Sequence, residues 1–358
     1  MREGRITGQL RAAGLALALL ALPGVGPAAT AAAPAACVDG FDKVALTRQI
    51  LPEAVYASSA KRAIVAGGAR LSGGRRAARL MRFENGKWTN LSTRYLGDDA
   101  GYTALGGRWS DGMWAVGFWQ TRTRMSPLVV RRSSNGGWSR KSVPSPGYSS
   151  VLSDIDSHKR SAAWAVGDRL DGPGSHRPVA MKWDGQRWTV RNPVLKSGER
   201  GMLAGVSNTA EGGTWAAGSV TKGGSERPYI ARSVNGTWRR RDLPSVGAGA
   251  LAAIAVPTRS DGWAVGYRIT SAGLRPLVLR WNGKSWKTAT PPELAGEGVL
   301  YEVDIVDGTV RVSGTATHPS KARITPILAT WHGAAWTVDR LGSFYRDGLL
   351  TSVDANRY

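Results

Sequence analysis

One short unit recurs along this 358-residue chain, and no other feature restricts the fold as strongly. A glycine closing a short apolar run stands at Gly67, Gly117, Gly167, Gly218, Gly266 and Gly314, with gaps of 50, 50, 51, 48 and 48. A tryptophan just after a turn stands at Trp88, Trp138, Trp188, Trp238, Trp286 and Trp336, with gaps of 50, 50, 50, 48 and 50. Two independent markers with one period define an internal repeat of six units.

Each unit divides into four short strands. Strand a is a Leu-x-x-Ile-like run, such as Leu152–Ile155 or Leu251–Ile254. Strand b is Trp-Ala-Val-Gly, beginning at Trp114, Trp164 and Trp263, with Ala217 for Val after Trp215. Strand c follows a proline (Pro127, Pro178, Pro228, Pro276, Pro326), placed as a first strand residue that needs no ladder donor. Strand d opens near the turn tryptophan. Between c and d lie Asn85-Gly86, Asn135-Gly136, Asp184-Gly185, Asn235-Gly236 and Asn282-Gly283, hairpin signals that accept positive φ at both central residues; His332-Gly333 holds the place in the last unit. No amphipathic helix of useful length interrupts this pattern.

A four-stranded unit cannot bury both faces alone, so units stack around an axis. The expected fold is all-β, a β-propeller of six four-stranded blades forming one domain over 37–358. The ends leave two strand-like segments, Phe41–Leu46 and Leu349–Asp354, which keep a seven-bladed ring as the alternative.

Residues 1–36 have the layout of a secretory signal. Arg2, Arg5 and Arg11 precede the apolar run Ala12–Leu22, and a small-residue stretch follows to Ala36. That run is shorter than the roughly 20 residues a membrane span needs, so export without a transmembrane segment is expected. Cys37 is the only cysteine, which rules out an internal disulfide. Lipid anchoring at Cys37 is a minor alternative, because Pro34-Ala35-Ala36 lacks the Leu-type residue three before the Cys.

The chain carries 48 Lys+Arg against 26 Asp+Glu, a formal net charge of +22. That balance favours anionic partners, here an acidic polysaccharide or cell-wall polymer, with a protein as the third class; nucleic acid fits poorly with export. A monomer is expected. No cofactor is implied: His158, His176, His318 and His332 fall apart from one another with no metal-ligand spacing, and Gly223-Gly224-Ser225 has no helix behind it to bind phosphate.

The turns in which Asn/Asp-Gly stands one or two residues before Trp and the Ser-Asp-Gly-Trp-Ala-Val-Gly runs resemble Asp-box (BNR-type) repeat propellers, which include sialidase-like and photosystem II stability-factor-like groups. The likeness spans nearly all of the mature chain, but only Ser134-Asn135-Gly136-Gly137-Trp138 opens with the usual Ser. It implies a fold and carries little about function.

Thirteen of the 15 Trp occupy repeated positions and are expected to pack between blades. Off-template aromatics (Trp109, Trp119, Tyr102, Tyr148, Tyr229, Tyr267, Tyr345) are the better contact candidates. Arg177, Arg227 and Arg275 each precede the strand c proline in consecutive units, which puts them in an arc on the face of the b–c loops. The d–a linkers add Arg200 and Arg346 to that face. Guanidinium forks suit carboxylate, sulfate or phosphate groups; the competing expectation pairs each Arg with a loop carboxylate such as Asp171, Glu199 or Glu226.

The preferred function is therefore a non-enzymatic binding or scaffold module. The rival is a glycan-processing enzyme, sialidase-like or using the axial carboxylates Asp154 and Glu302, which occupy equivalent strand a positions. Sialidase chemistry needs a Tyr beside a Glu, and Tyr301-Glu302, adjacent on a strand, are expected to face opposite ways.

Overall fold

The computed structural model describes residues 50–340, except 60, 92–98, 111, 210–212, 295 and 319–320, and also residue 352. Its strands form six antiparallel sheets of four consecutive strands each, the blades of a β-propeller, with one 3₁₀ turn at Ser72–Gly74. The inner strands, a, are Leu51–Ser59, Ala100–Gly106, Ser149–Lys159, Arg200–Asn208, Gly249–Ala255 and Gly298–Val306. Strands b begin at Arg62, Trp114, Ala162, Thr214, Gly262 and Thr309. No helix among the described residues is long and apolar enough to cross a membrane.

The repeated glycine has a physical cause. In every blade strand a carries a bulge beside it, at Glu53, Thr103, Ser153, Ala204, Ala252 and Tyr301, where pairing with strand b skips one residue. The skipped residue bends strand a toward strand b. A Cβ on Gly67, Gly117, Gly167, Gly218, Gly266 or Gly314 would overlap the carbonyl oxygen two residues before the bulge. Only glycine allows that approach.

The tryptophans join one blade to the next. Trp215 of strand b packs on Trp281 and Trp286 of the following blade, with centroids 5.0 and 5.7 Å apart. Trp114 meets Trp183 and Trp188 in the same way, Trp164 meets Trp238, and Trp263 meets Trp331 and Trp336. Each strand b Trp also lies opposite a cation of strand c that sits over its ring: Arg131 on Trp114, Lys182 on Trp164, Arg232 on Trp215 and Arg280 on Trp263. Part of the positive charge thus serves the frame through cation–π contacts.

Polar inner-strand side chains tie neighbouring blades near the axis. Asp154 Oδ2 accepts from the Val206 amide at 2.7 Å and Asp156 Oδ2 from the Asn208 amide at 2.7 Å. The Val256 amide donates to Ser207 Oγ at 2.9 Å. Because the links advance in step from 154 to 206 and from 156 to 208, neighbouring inner strands run parallel. All b–c loops and d–a linkers therefore emerge on one face, and all a–b and c–d turns on the other.

Two local expectations need correction. The prolines lie inside strand c, not at its start: Pro178 is third in His176–Trp183 and Pro276 fourth in Gly273–Trp281. Strand d reaches only Met181 and Leu279. Ala180, two residues beyond Pro178, turns its amide to the strand d side, toward Asn192 Oδ1. The missing proline donor thus points where no ladder exists. The c–d turns also differ among blades. Asn85-Gly86 and Asn235-Gly236 have positive φ at both residues, whereas the other units have it at the glycine alone. In the third and fifth units the Asx side chain caps a longer turn, as Asp184 Oδ1 accepts from the Gln186 and Arg187 amides and Asn282 Oδ1 from those of Lys284 and Ser285.

Phe41–Leu46 lies outside the described residues, and of Leu349–Asp354 only Ser352 lies within them. Ser352 Oγ accepts from the Val55 amide at 3.4 Å.

Candidate functional site

Two sites come out of this frame: the axial channel and the face of the b–c loops. The channel encloses about 790 Å³ and is walled by strand a of all six blades. Its wall carries Glu53, Asp154, Asp156, Glu302 and Asp304, against Arg76 and His158. A strongly basic protein thus has an acidic axis. Tyr301 Oη lies 3.3 Å from Thr315 Oγ1 of strand b, and the ring packs with Ala250, Tyr267 and Val299.

Asp154 has the most altered chemistry in the channel. Burial pushes its carboxyl from 3.8 up to about 7; the amides of Val206 and Ile155 oppose that rise, and the charge of Asp156 adds to it. The native protein therefore holds a proton here that the unfolded chain has released between about pH 4 and pH 7. By linkage, this group's contribution to stability falls as pH rises through that window. Asp154→Asn should flatten that part of the profile by about 1–2 kcal/mol, read as the change in Tm between pH 5 and pH 7 for variant and wild type. An unchanged profile would mean that Asp154 titrates as an ordinary carboxylate.

On the loop face, the arginines of the arc meet different partners. Arg177 Nη1 donates to the Glu199 carbonyl at 2.7 Å, and its Nε lies 3.7 Å from Asp171. Arg200 Nη1 donates to the Gly174 carbonyl at 3.3 Å, so these two knit the blade 3 loop to the next linker. Arg275 Nη1 donates to the Leu274 carbonyl. Arg227 is exposed and has no ion-pair partner among the described residues. Arg346 lies outside the described residues.

Arg227 opens onto a second cavity of about 450 Å³, under the linker from Asp242 to Gly247. Lys196, Arg240 and Arg241 share its wall with Leu243, Pro244 and Val246. Glu199 is buried beside it, with Oε1 accepting from Arg240 Nη1 at 2.8 Å and Oε2 from the Lys196 amide at 3.0 Å. Burial alone would push the Glu199 carboxyl up, but Arg240 and the Lys196 amide outweigh it and hold it below the ordinary range. Arg240 also lies over the Tyr229 ring and Arg241 over Trp281.

Sequence reasoning missed two pairs. Tyr267 Oη donates to Glu226 Oε2 at 3.0 Å, so a Tyr–Glu pair exists, contributed by two neighbouring blades. Burial and then the Glu226 charge push the Tyr267 phenol well above its usual range, so it stays protonated as a hydrogen-bond donor at neutral pH. His176 Nδ1 lies 2.6 Å from Asp168 Oδ2, and this bond raises the imidazole pKa. The only signal for either pair was position, since both sit at the b–c ends of their blades. Among the contact candidates, Tyr102, Tyr229 and Tyr267 prove to be buried, while Trp109 and Trp119 are covered by Arg132 and Arg140. Tyr148 is exposed, and Tyr345 lies outside the described residues.

No protein-family model matches the chain, and comparison with curated proteins gives no match. Solved structures do resemble it. A polysaccharide lyase of family PL25, an ulvan lyase bound to -[GlcA(1-4)Rha3S]-, superposes with TM-score 0.57 at 11% identity, over 85% of this chain and 83% of its own. An α-L-arabinanase of Penicillium chrysogenum complexed with arabinobiose gives 0.51 at 10%, over 79% and 94%. YCF48 bound to D1 peptide gives 0.49 at 12%, over 81% and 82%. At such identities the likeness establishes the propeller fold and nothing finer.

Proposed function

We propose that this protein is a secreted, non-enzymatic β-propeller of the Asp-box-like kind, acting as a binding or scaffold module at the cell envelope. Its ligand is an anionic polymer, taken up on the face of the b–c loops and d–a linkers. The observation that carries this reading is Arg227: an exposed guanidinium at the mouth of a cation-lined cavity, on the face that also holds Arg177, Arg200 and Arg275. Residues 1–36 as an export signal and the net charge of +22 agree with such a partner.

One observation favours the glycan-processing alternative. The acidic channel holds Asp154, an acid poised near neutrality, and Glu302 on the same wall. A single experiment weighs both readings. The mature protein is passed over sulfated and carboxylated polysaccharide matrices, and the same polymers are then sized after incubation with it. The expected result is retention that collapses with added salt, since exposed charges are screened within about 8–10 Å at 0.1–0.15 M. Arg177→Ala/Arg227→Ala/Arg275→Ala should elute at clearly lower salt, with polymer length unchanged by incubation. Unaltered elution would sink the binding reading, and shortened polymer would replace it with the enzymatic one.

A further inference from the structure

We infer that the 450 Å³ cavity beside Arg227 is the seat of ligand recognition, and that it takes one acidic sugar unit bearing a carboxylate or sulfate ester. This rests on the anionic-ligand reading and narrows it to a place and a chemistry. Four cations line the cavity: Lys196, Arg227, Arg240 and Arg241. Glu199 engages Arg240, and Asp242 is the one carboxylate on the wall itself, so two positive charges remain uncompensated.

The four differ in what they can still do. Arg240 is fixed between Glu199 and the Tyr229 ring, which makes it a rigid floor. Arg241 is held over Trp281, and its Nε is buried without an acceptor among the described residues. Arg227 supplies a third guanidinium from the open side, and the exposed Lys196 adds a point charge. Three guanidinium groups on one cavity suit the flat, multi-oxygen face of a carboxylate or sulfate. The linker wall at 243–246 is largely apolar, which fits the carbon face of a sugar ring better than a free inorganic ion.

Titration calorimetry on the full-length protein tests this with three probes: a tetragalacturonate, a sulfated heparin-derived tetrasaccharide and neutral maltotetraose. One acidic tetrasaccharide should bind and maltotetraose should not; which acidic one binds distinguishes carboxylate from sulfate recognition. Arg227→Ala should weaken that binding about tenfold, as loss of a charge-assisted bond does. Arg227→Lys should remain weaker than wild type, because an ammonium cannot present a fork. Lys196→Ala should cost less, about threefold, and Arg187→Ala on the opposite face should cost nothing. If the acidic tetrasaccharide binds but Arg227→Ala and Lys196→Ala leave its affinity unchanged, the cavity is not the seat, although the anionic-face reading survives. If long polyanions bind and neither acidic tetrasaccharide does, recognition of a single sugar unit is wrong. If no acidic probe or polymer binds the wild type, both readings fall.

Discussion

Trp215→Ala should lower the unfolding free energy by about 3–5 kcal/mol, the range for truncating a large buried aromatic. The ring is 1% exposed and fills the space between Trp281 and Trp286 of the next blade, with Arg232 over its face at 5.2 Å. Removing it leaves a cavity between two blades and deprives Arg232 of its cation–π partner. The indole Nε1 has no hydrogen-bond partner among the described residues, so the residue acts as an apolar block. Trp215→Phe should consequently cost much less, about 1–2 kcal/mol. Denaturant unfolding of both variants checks this. Equal losses would mean that the indole does something other than fill space.

Gly167→Ala is expected to destabilise the protein by about 1–3 kcal/mol or more, although it adds a single methyl group. The added Cβ would meet the Val151 carbonyl oxygen and the Leu152 Cα, both backbone atoms that cannot swing aside as a side chain would. The φ of Gly167 is unremarkable, so the cost comes from close approach and has no left-handed backbone component. Gly172→Ala, where nothing lies near the added carbon, is the control and should be close to neutral. If Gly167→Ala proves as mild as the control, the bulge does not hold the two strands at the distance observed.

These two positions show why the fold was legible. The glycine answers a demand that every blade repeats, and the strand b tryptophan one that four of the six share, with Ile64 and Arg311 in its place in the first and last, so a period appears in the sequence. The bulge answers a repeated demand too, yet Glu53, Thr103, Ser153, Ala204, Ala252 and Tyr301 share no chemistry, because what matters is an extra residue and not its side chain. The bulge therefore leaves no mark in the sequence. The tyrosines misled in a related way. Tyr267 follows the strand b glycine and turns into the blade interface, a direction that its absence from the repeat could not reveal.

The loop face was legible as a face and not as a set of contacts. Spacing alone puts Arg177, Arg227 and Arg275 at equivalent blade positions. What each guanidinium meets depends on linkers that differ from blade to blade. Arg177 finds the Glu199 carbonyl from the adjoining linker, whereas Arg227 meets a cavity shaped by the linker from Asp242 to Gly247. Such partners come from segments with no common pattern. Arg131, Arg132, Arg240 and Arg241, adjacent in the sequence, each lie over an aromatic ring.

Comparing two variants of equal charge is the most direct test of where the ligand sits. One removes Arg177, Arg227 and Arg275 from the loop face. The other removes Lys87, Arg187 and Lys284, all exposed at the c–d turns of the opposite face. Both lose three positive charges, so any effect of net charge alone is shared. Titrated with the same polyanion at about 0.15 M salt, where screening confines electrostatics to about 8 Å, the loop-face variant should bind at least tenfold more weakly than the opposite-face variant. Equal weakening of the two would contradict a ligand seated on the loop face and reduce the interaction to charge without a site.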